Sequence, residues 1–258
     1  MKNIIYISIV LFIAACNNGI KKEDQWITLF NGKDLTGWDI KISGYPMNEN
    51  YKNIFSVEDS ILKVSYDQLD SFRGEFGHLF FNRKFSNYKL RLEYRFTGEQ
   101  CPGGAEWAWR NSGVMFHAQS AESMGLDQDF PVSIEAQFLG GPETGDRPTL
   151  NVCTPGTDVD IDGMPAEGHC HNSSSQTYRG DVWVKVEIVV YGDSIIHHIV
   201  EGDTVLTYSK PRIGPEMKPE NYPVADGTPL TEGYFALQAE SHNVEFRKIE
   251  LLDLSDGK

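Results

Sequence analysis

Two short runs of alternating residues collect side chains that can move protons. The first, Asn111 to Gln119, reads NSGVMFHAQ; the second, Pro131 to Gly141, reads PVSIEAQFLGG. Side chains alternate across a strand. In the first run Met115, His117 and Gln119 therefore share a face with Gly113, opposite Val114, Phe116, Ala118 and Ser112. In the second, Glu135 and Gln137 share a face with Ser133 and Leu139, opposite Val132, Ile134, Ala136 and Phe138. If both runs lie in one sheet, His117, Glu135 and Gln137 gather on one surface over an aliphatic layer. Histidine titrates near neutral pH unaided, and a carboxylate among apolar strand neighbours has a raised pKa. Such a surface suits general acid–base work.

A third run repeats the grouping. In FALQAESH, Phe235, Leu237 and Ala239 share a face, and Gln238, Glu240 and His242 share the other if the strand runs that far. Adjacent in the sheet, the runs would unite His117, Glu135, Gln137, Gln238, Glu240 and His242. Trp107 and Trp109 stand in a Gly-rich loop just before the first run, where exposed aromatics can stack on a sugar ring. Arg110 and Asn111, at the strand entrance, can hydrogen-bond sugar hydroxyls or an enediolate oxygen. His197 and His198 point to opposite faces of their strand, so one of them meets the core or the site.

Metal binding has two weaker openings. Asp158 to Gly163 reads DVDIDG, the start of a calcium loop, but His169 stands where the closing Glu belongs and no helices flank it. His169, Cys170 and His171 with Cys153 could hold zinc. That competes with a disulfide between Cys153 and Cys170, which flank a loop rich in Gly, Pro and Asp. No cofactor is expected, although a divalent cation remains compatible with the site.

The elements around these runs are strands. Tyr88 to Phe96 alternates cleanly: Tyr88, Leu90, Leu92, Tyr94 and Phe96 against Lys89, Arg91, Glu93 and Arg95. Such alternation marks a half-buried antiparallel strand. Further strands are expected in Trp26–Phe30, Ile54–Val64 around a turn at Asp59, Leu79–Phe81, Val182–Tyr191, Ser194–Glu201, Thr204–Tyr208, Gly233–Ala239 and Val244–Leu252. Residues 142–178 read as a long polar loop. About a dozen short strands and no ten-residue helix predict an all-β sandwich or barrel.

The 258 residues carry a net charge of −14. That balance excludes nucleic acid as a partner, because phosphate neutralisation needs clustered Lys and Arg. It disfavours polyanionic glycans and permits neutral sugars. Residues 1–15 have a charged start, an apolar run and small residues before Cys16, the layout of a secretory signal. Ile13-Ala14-Ala15-Cys16 resembles a bacterial lipoprotein signal, which implies lipidation of Cys16. Residues 16–25 then form a polar tether, and residues 26–254 a single domain. The lipid would be the chain's only hold on a membrane, the outer membrane, with Cys153 and Cys170 in an oxidising compartment and Cys101 left unpaired.

LFNGKDLTGW, YKLRLEYRF, NSGVMFH, SIEAQFLGG, WVKVEIVVYGDSIIHHIVEGDTV and GYFALQAESHNVEFRKIELL together resemble the 3-keto-disaccharide hydrolase family, abundant in secreted proteins of Bacteroidetes. The resemblance implies a concanavalin-like (laminarinase-like) jelly roll of two antiparallel sheets, the curved one forming a concave sugar-binding face. It implies hydrolysis of glycosides already oxidised to a ketone at C3, a small oxidised sugar being the partner. The alternative on the same fold is a non-catalytic carbohydrate-binding lipoprotein. A C3 carbonyl acidifies the C2 hydrogen, so a base, an acid and an oxyanion stabiliser suffice for elimination and hydration. Glu135 and His117 are the candidates for base and acid, in either order. His198 matches the His of the family's His-x-x-Asn-Gly, although Glu201 departs from its Asn. Metabolic labelling with palmitate is expected to mark the wild-type protein and to fail with Cys16→Ala; label retained in that variant would remove the anchor.

Overall fold

The computed structural model describes residues 25–255, so the expected signal, Cys16 and nearly all of the tether lie outside the described residues. The described residues contain seventeen strands. The first six are β1 (Ile27–Thr28), β2 (Trp38–Ile42), β3 (Phe55–Glu58), β4 (Ile61–Val64), β5 (Gly77–Phe81) and β6 (Asn87–Gln100). Then come β7 (Asn111–Ala118), β8 (Ile134–Leu139), β9 (Asn151–Cys153), β10 (Thr157–Ile161), β11 (Met164–Pro165) and β12 (Cys170–His171). The last five are β13 (Val184–Tyr191), β14 (Ile195–Val200), β15 (Asp203–Ile213), β16 (Tyr234–Ala239) and β17 (His242–Asp253).

The strands pair antiparallel in two sheets: the all-β sandwich that the alternation allows and the jelly roll that the family resemblance implies. The front sheet runs β12-β9-β8-β7-β16-β5-β2. The back sheet runs β11-β10-β15-β14-β13-β6-β17-β4-β3, and β1 also pairs with β17, near its C-terminal end. The core lies between them. Tyr88, Leu90, Leu92, Tyr94 and Phe96 of β6 all enter it, as their alternation requires. Tyr94 stacks on Phe138 of β8 with centroids 4.4 Å apart, and its hydroxyl shares a 2.7 Å hydrogen bond with Thr149. β7 and β16 are neighbours, so the first and third polar runs do meet in one sheet.

The stretch expected as one long loop contains four short strands. β9 pairs with β12, and a Cys153–Cys170 disulfide joins them. Their sulfurs are therefore not thiolates, which removes the zinc option. Asp158–Gly163 is not a calcium loop: it is β10 and its turn, and Asp160 accepts 2.8 Å bonds from Lys210 and Arg212.

β7 departs from strict alternation. Opposite it, β16 advances two residues from Tyr234 to Ala236 while β7 advances three, from Ala118 back to Met115. This is a β-bulge, and His117 sits in it with φ 46°. The extra residue swaps the faces. Ala118 joins Met115, Phe80 and Ala236 on the outer side. His117 turns inward beside Phe116, and its Nε2 meets the carbonyl of Gly192 at 3.0 Å. Burial lowers its pKa. Gly233 makes the bulge possible, because a Cβ there would come within 2.4 Å of His117 Cα. Gly233→Ala is expected to cost about 2–3 kcal/mol, read as a lower urea midpoint at unchanged m-value; an unchanged midpoint would show that the bulge is not tightly packed.

Candidate functional site

The outer face of the front sheet carries a row of polar positions. Register aligns Lys41 with His78, His78 with Gln238, Gly113 with Gln137, and Gln137 with Asn151. Leu237 faces Val114, so Gln238 follows into the place beside Gly113. The next row holds Met115, Glu135 and Cys153. Loops roof this face. Residues 119–131 cover the end near Lys41, whose ammonium donates to the carbonyls of Ile42, Tyr45 and Leu126. Beyond that roof a pocket of about 330 Å³ opens, lined by Glu135, Gln137 and Asn111 of the sheet, Glu240, and the Cys153–Cys170 pair. Trp107, Phe130, Pro155, His169 and Met217 complete its walls.

Two carboxylates define its floor. Glu135 and Glu240 are both buried, at 5% and 3% exposure. Glu135 leans over Gly113: a Cβ at that position would lie 2.8 Å from its Oε1. A glycine in mid-strand is normally a weakness; here it gives the carboxylate room. Glu240 lies just past β16, where Ser241, with φ 73°, turns the chain into the back sheet. Gln238 donates to Glu240 Oε1 at 2.9 Å. Burial pushes Glu135 up to about 8. Burial first, and then the charge of Glu135, raise Glu240 well above the usual carboxyl range, with Arg147 pulling the other way. Like charges in a desolvated site cannot both ionise cheaply, so the pair retains a proton at neutral pH.

Four oxygens around this pair have no hydrogen-bond partner: Glu135 Oε1, Glu240 Oε2, Gln238 Oε1 and Asn111 Oδ1. Buried polar atoms are almost always satisfied by protein or ordered water, so these oxygens can accept from water or from a ligand in the pocket. They are also the hard oxygen set that a divalent cation takes.

The structure therefore divides the expected residues. Glu135, Gln137, Asn111, Trp107 and Glu240 line one pocket, with Gln238 behind them. Four others do not reach it. His117 is turned inward by the bulge. Arg110 is committed to Gly180 and Asp181, at 2.8 and 2.7 Å. His198 lies between the sheets, held by Leu150 O and Tyr208 Oη at 3.0 and 2.9 Å. It is a satisfied core histidine that burial lowers to about 4. His242 opens β17 rather than extending β16, and packs against Phe96 and Trp109. Trp109 likewise lies outside this pocket.

Two residues that the sequence reading passed over matter here. Arg147, in the long loop, donates to the carbonyls of Trp107, Trp109 and Gly140 at 3.1, 2.6 and 2.9 Å. It fixes the tryptophan loop and places a cation near Glu240. Nothing in its local sequence marks it. His78 is fully buried beside Gln238, and neither ring nitrogen has a partner. Burial, then Lys41, lowers it to about 3, so it is neutral. Starting that strand at Gly77 instead of Leu79 would have put His78 on the polar face.

The fold and pocket define a jelly-roll protein with a buried carboxylate pair at the floor of a pocket. The chain belongs to the 3-keto-alpha-glucoside-1,2-lyase-like family, whose pattern it matches over residues 25–252. It is 29% identical over 121 residues to a 3-keto-disaccharide hydrolase of Bacteroides thetaiotaomicron, a match covering 46% of this chain and 36% of that protein. The chain thus spans about a third of the length of that curated relative. Two Parabacteroides distasonis structures, described as candidate glycosyl hydrolases, share the fold. One has a TM-score of 0.52 at 18% identity, covering 89% of this chain and all of that one. The other has a TM-score of 0.50 at 19% identity, covering 89% and 94%.

The raised carboxyls have a consequence for stability. A folded-state Glu135 that keeps its proton until about pH 8 holds one that the unfolded chain has already released near 4.5. Stability therefore falls as pH rises between those values. Glu135→Gln lacks this proton. Its melting temperature is expected to match wild type near about pH 5 and exceed it near about pH 8; parallel curves would mean that Glu135 ionises normally.

Proposed function

We propose that the protein cleaves 3-keto-glycosides by proton transfer between the substrate and the Glu135–Glu240 pair. The observation that carries this reading is the pair itself, two buried carboxyls of raised pKa at the base of a sugar-sized pocket. The ionised member removes the proton from C2 of the sugar, which the C3 ketone acidifies. An enediolate forms, the C1–O bond breaks, and the protonated member delivers its proton to the departing oxygen. The products are a 1,2-unsaturated 3-keto sugar and an alcohol. Addition of water across the new double bond completes a net hydrolysis. Gln137, its side-chain oxygen engaged by Asn151 at 3.1 Å, offers its amide N–H to the C3 oxyanion. Glu240 thus takes the part first assigned to His117. The setting proposed for this reaction is the outer membrane, with the protein anchored through Cys16.

A second reading rests on the four unpartnered oxygens: a divalent cation between the carboxylates would polarise the ketone and stabilise the enediolate. Activity retained after dialysis against EDTA is expected for proton transfer alone, and activity restored only by added metal would support the cation.

Incubation with a 3-keto-α-glucoside is expected to release the alcohol. Glu135→Gln and Glu240→Gln are each expected to lower kcat/KM by about 10²–10⁴-fold. The acid limb of the wild-type profile should reflect Glu135, which must ionise to act as base, at about 8, and the alkaline limb should lie higher, where Glu240, raised further by that charge, loses its proton. Release unchanged in both variants would overturn the assignment. Binding of 3-keto sugars without any release would identify a carbohydrate-binding protein instead.

A further inference from the structure

The carboxylate pocket adjoins a second concavity. This one is broad, open and about 760 Å³, lined by Glu106, Trp107, Trp109, Pro142 and Arg147. Trp107 lines both. We infer that the second concavity is the leaving-group subsite, and that it takes a neutral ring with a flat apolar face, a second pyranose or an aryl group. The inference rests on the elimination reading above and names the substrate class that reading leaves open.

Size supports the division. At about 330 Å³ the carboxylate pocket is at the small end of ligand cavities, enough for one sugar ring. Whatever hangs from C1 must leave it. The wall common to both spaces is Trp107, so a glycosidic bond crossing there puts the departing group against the indoles.

The surface is built rather than incidental. Trp107 is 54% exposed, yet it is not loose. Its ring lies parallel to Phe76 within 8°, with centroids 6.1 Å apart, which leaves its other face for a ligand. Arg147 holds the backbones of Trp107 and Trp109 together through their carbonyls. Its guanidinium also lies 5.6 Å from the Trp109 ring centroid. Both terminal nitrogens of Arg147 thus donate to backbone oxygens, and the side chain braces the platform. Preordered aromatic rings bind sugar C–H faces and aryl rings with little entropy cost.

Charge narrows the ligand. Glu106 is the exposed ionic group of this concavity, and the chain carries a net −14. Glu106 and Arg147 balance in charge within this lining, so it offers no net cation to an anionic leaving group, and a neutral hexose or phenol suits it. Glu106 can also accept a hydrogen bond from a sugar hydroxyl, which a bare aryl ring lacks.

The test compares methyl, glucosyl and 4-nitrophenyl 3-keto-α-glucosides with wild type, Trp109→Ala and Trp107→Ala. Taking the variant-to-wild-type ratio of kcat/KM for each substrate cancels the different acidities of the leaving groups. Both variants are expected to lose about tenfold more on the ring-bearing substrates than on the methyl glycoside. Trp107→Phe should recover most of the loss. Equal ratios for all three substrates would overturn the subsite. Loss confined to the glucosyl substrate would assign it to a second sugar, and an equal loss on both ring-bearing substrates to any flat ring. Trp109→Ala disturbs the contact with His242, so each variant is checked by thermal melting; Trp107→Ala, at a half-exposed position, carries the test if Trp109→Ala does not fold. If no 3-keto-glycoside is turned over, the proposed reaction fails by itself. Calorimetric titration of wild type and both variants with the glucosyl and methyl ligands then decides the subsite: tighter glucosyl binding that Trp107→Ala abolishes supports it, and equal affinities overturn it.

Discussion

Two carboxyl groups buried beside each other are expensive. Each loses hydration, and each raises the cost of ionising the other. A fold tolerates this only if one group keeps its proton and if nearby dipoles serve the other. The environment of Glu135 and Glu240 meets both needs. Gln238 donates to Glu240, Arg147 adds a positive charge at a distance, and Glu135 has no cation beside it. The pair is therefore poised between accepting and donating a proton. That property would be lost if either group reached solvent.

The rest of the front sheet can be understood as the means of burying this pair without crushing it. Gly113 removes a side chain where Glu135 must lie. The end of β16 lets Glu240 stand at the sheet's outer face just before the chain crosses to the back sheet. Loops carrying Trp107, Phe130, Pro155, His169 and Met217 form the walls, and the disulfide ties down the segment that holds Pro155 and His169. The sheet supplies rigidity and the loops supply enclosure, so the pocket is apolar enough to shift the carboxyls yet open enough to admit a ligand. Arg147 joins the two tasks: it holds the tryptophan loop through backbone carbonyls and also acts on Glu240.

Histidine has a different place here from the one its chemistry suggests. His117 and His198 are bonded to backbone carbonyls in the interior, and His242 packs edge-on against Phe96 and Trp109. Burial keeps all three neutral at physiological pH. They behave as compact polar aromatics, and in His117 and His198 a ring nitrogen serves a carbonyl that no strand partner reaches. The candidate proton transfer falls to carboxylates because the site desolvates them.

Period-two alternation determined much of this protein. It placed Glu135 and Gln137 on a common face, put the Phe235, Leu237 and Ala239 side chains and the alternate Tyr88–Phe96 side chains in the core, and called for an antiparallel sandwich or barrel. Those conclusions hold because side-chain direction along a strand is a local property of the backbone. The sequence was silent where direction depends on a neighbour. The bulge at His117 reverses a face through one extra residue and is allowed by Gly233, more than a hundred positions away. The turn at Ser241 sends His242 to the other sheet. Glu135 meets Glu240, and Arg147 reaches both tryptophans, only because β8, β7 and β16 lie side by side. Adjacency of strands is fixed by the packing of the whole sandwich, and no short stretch of residues encodes it.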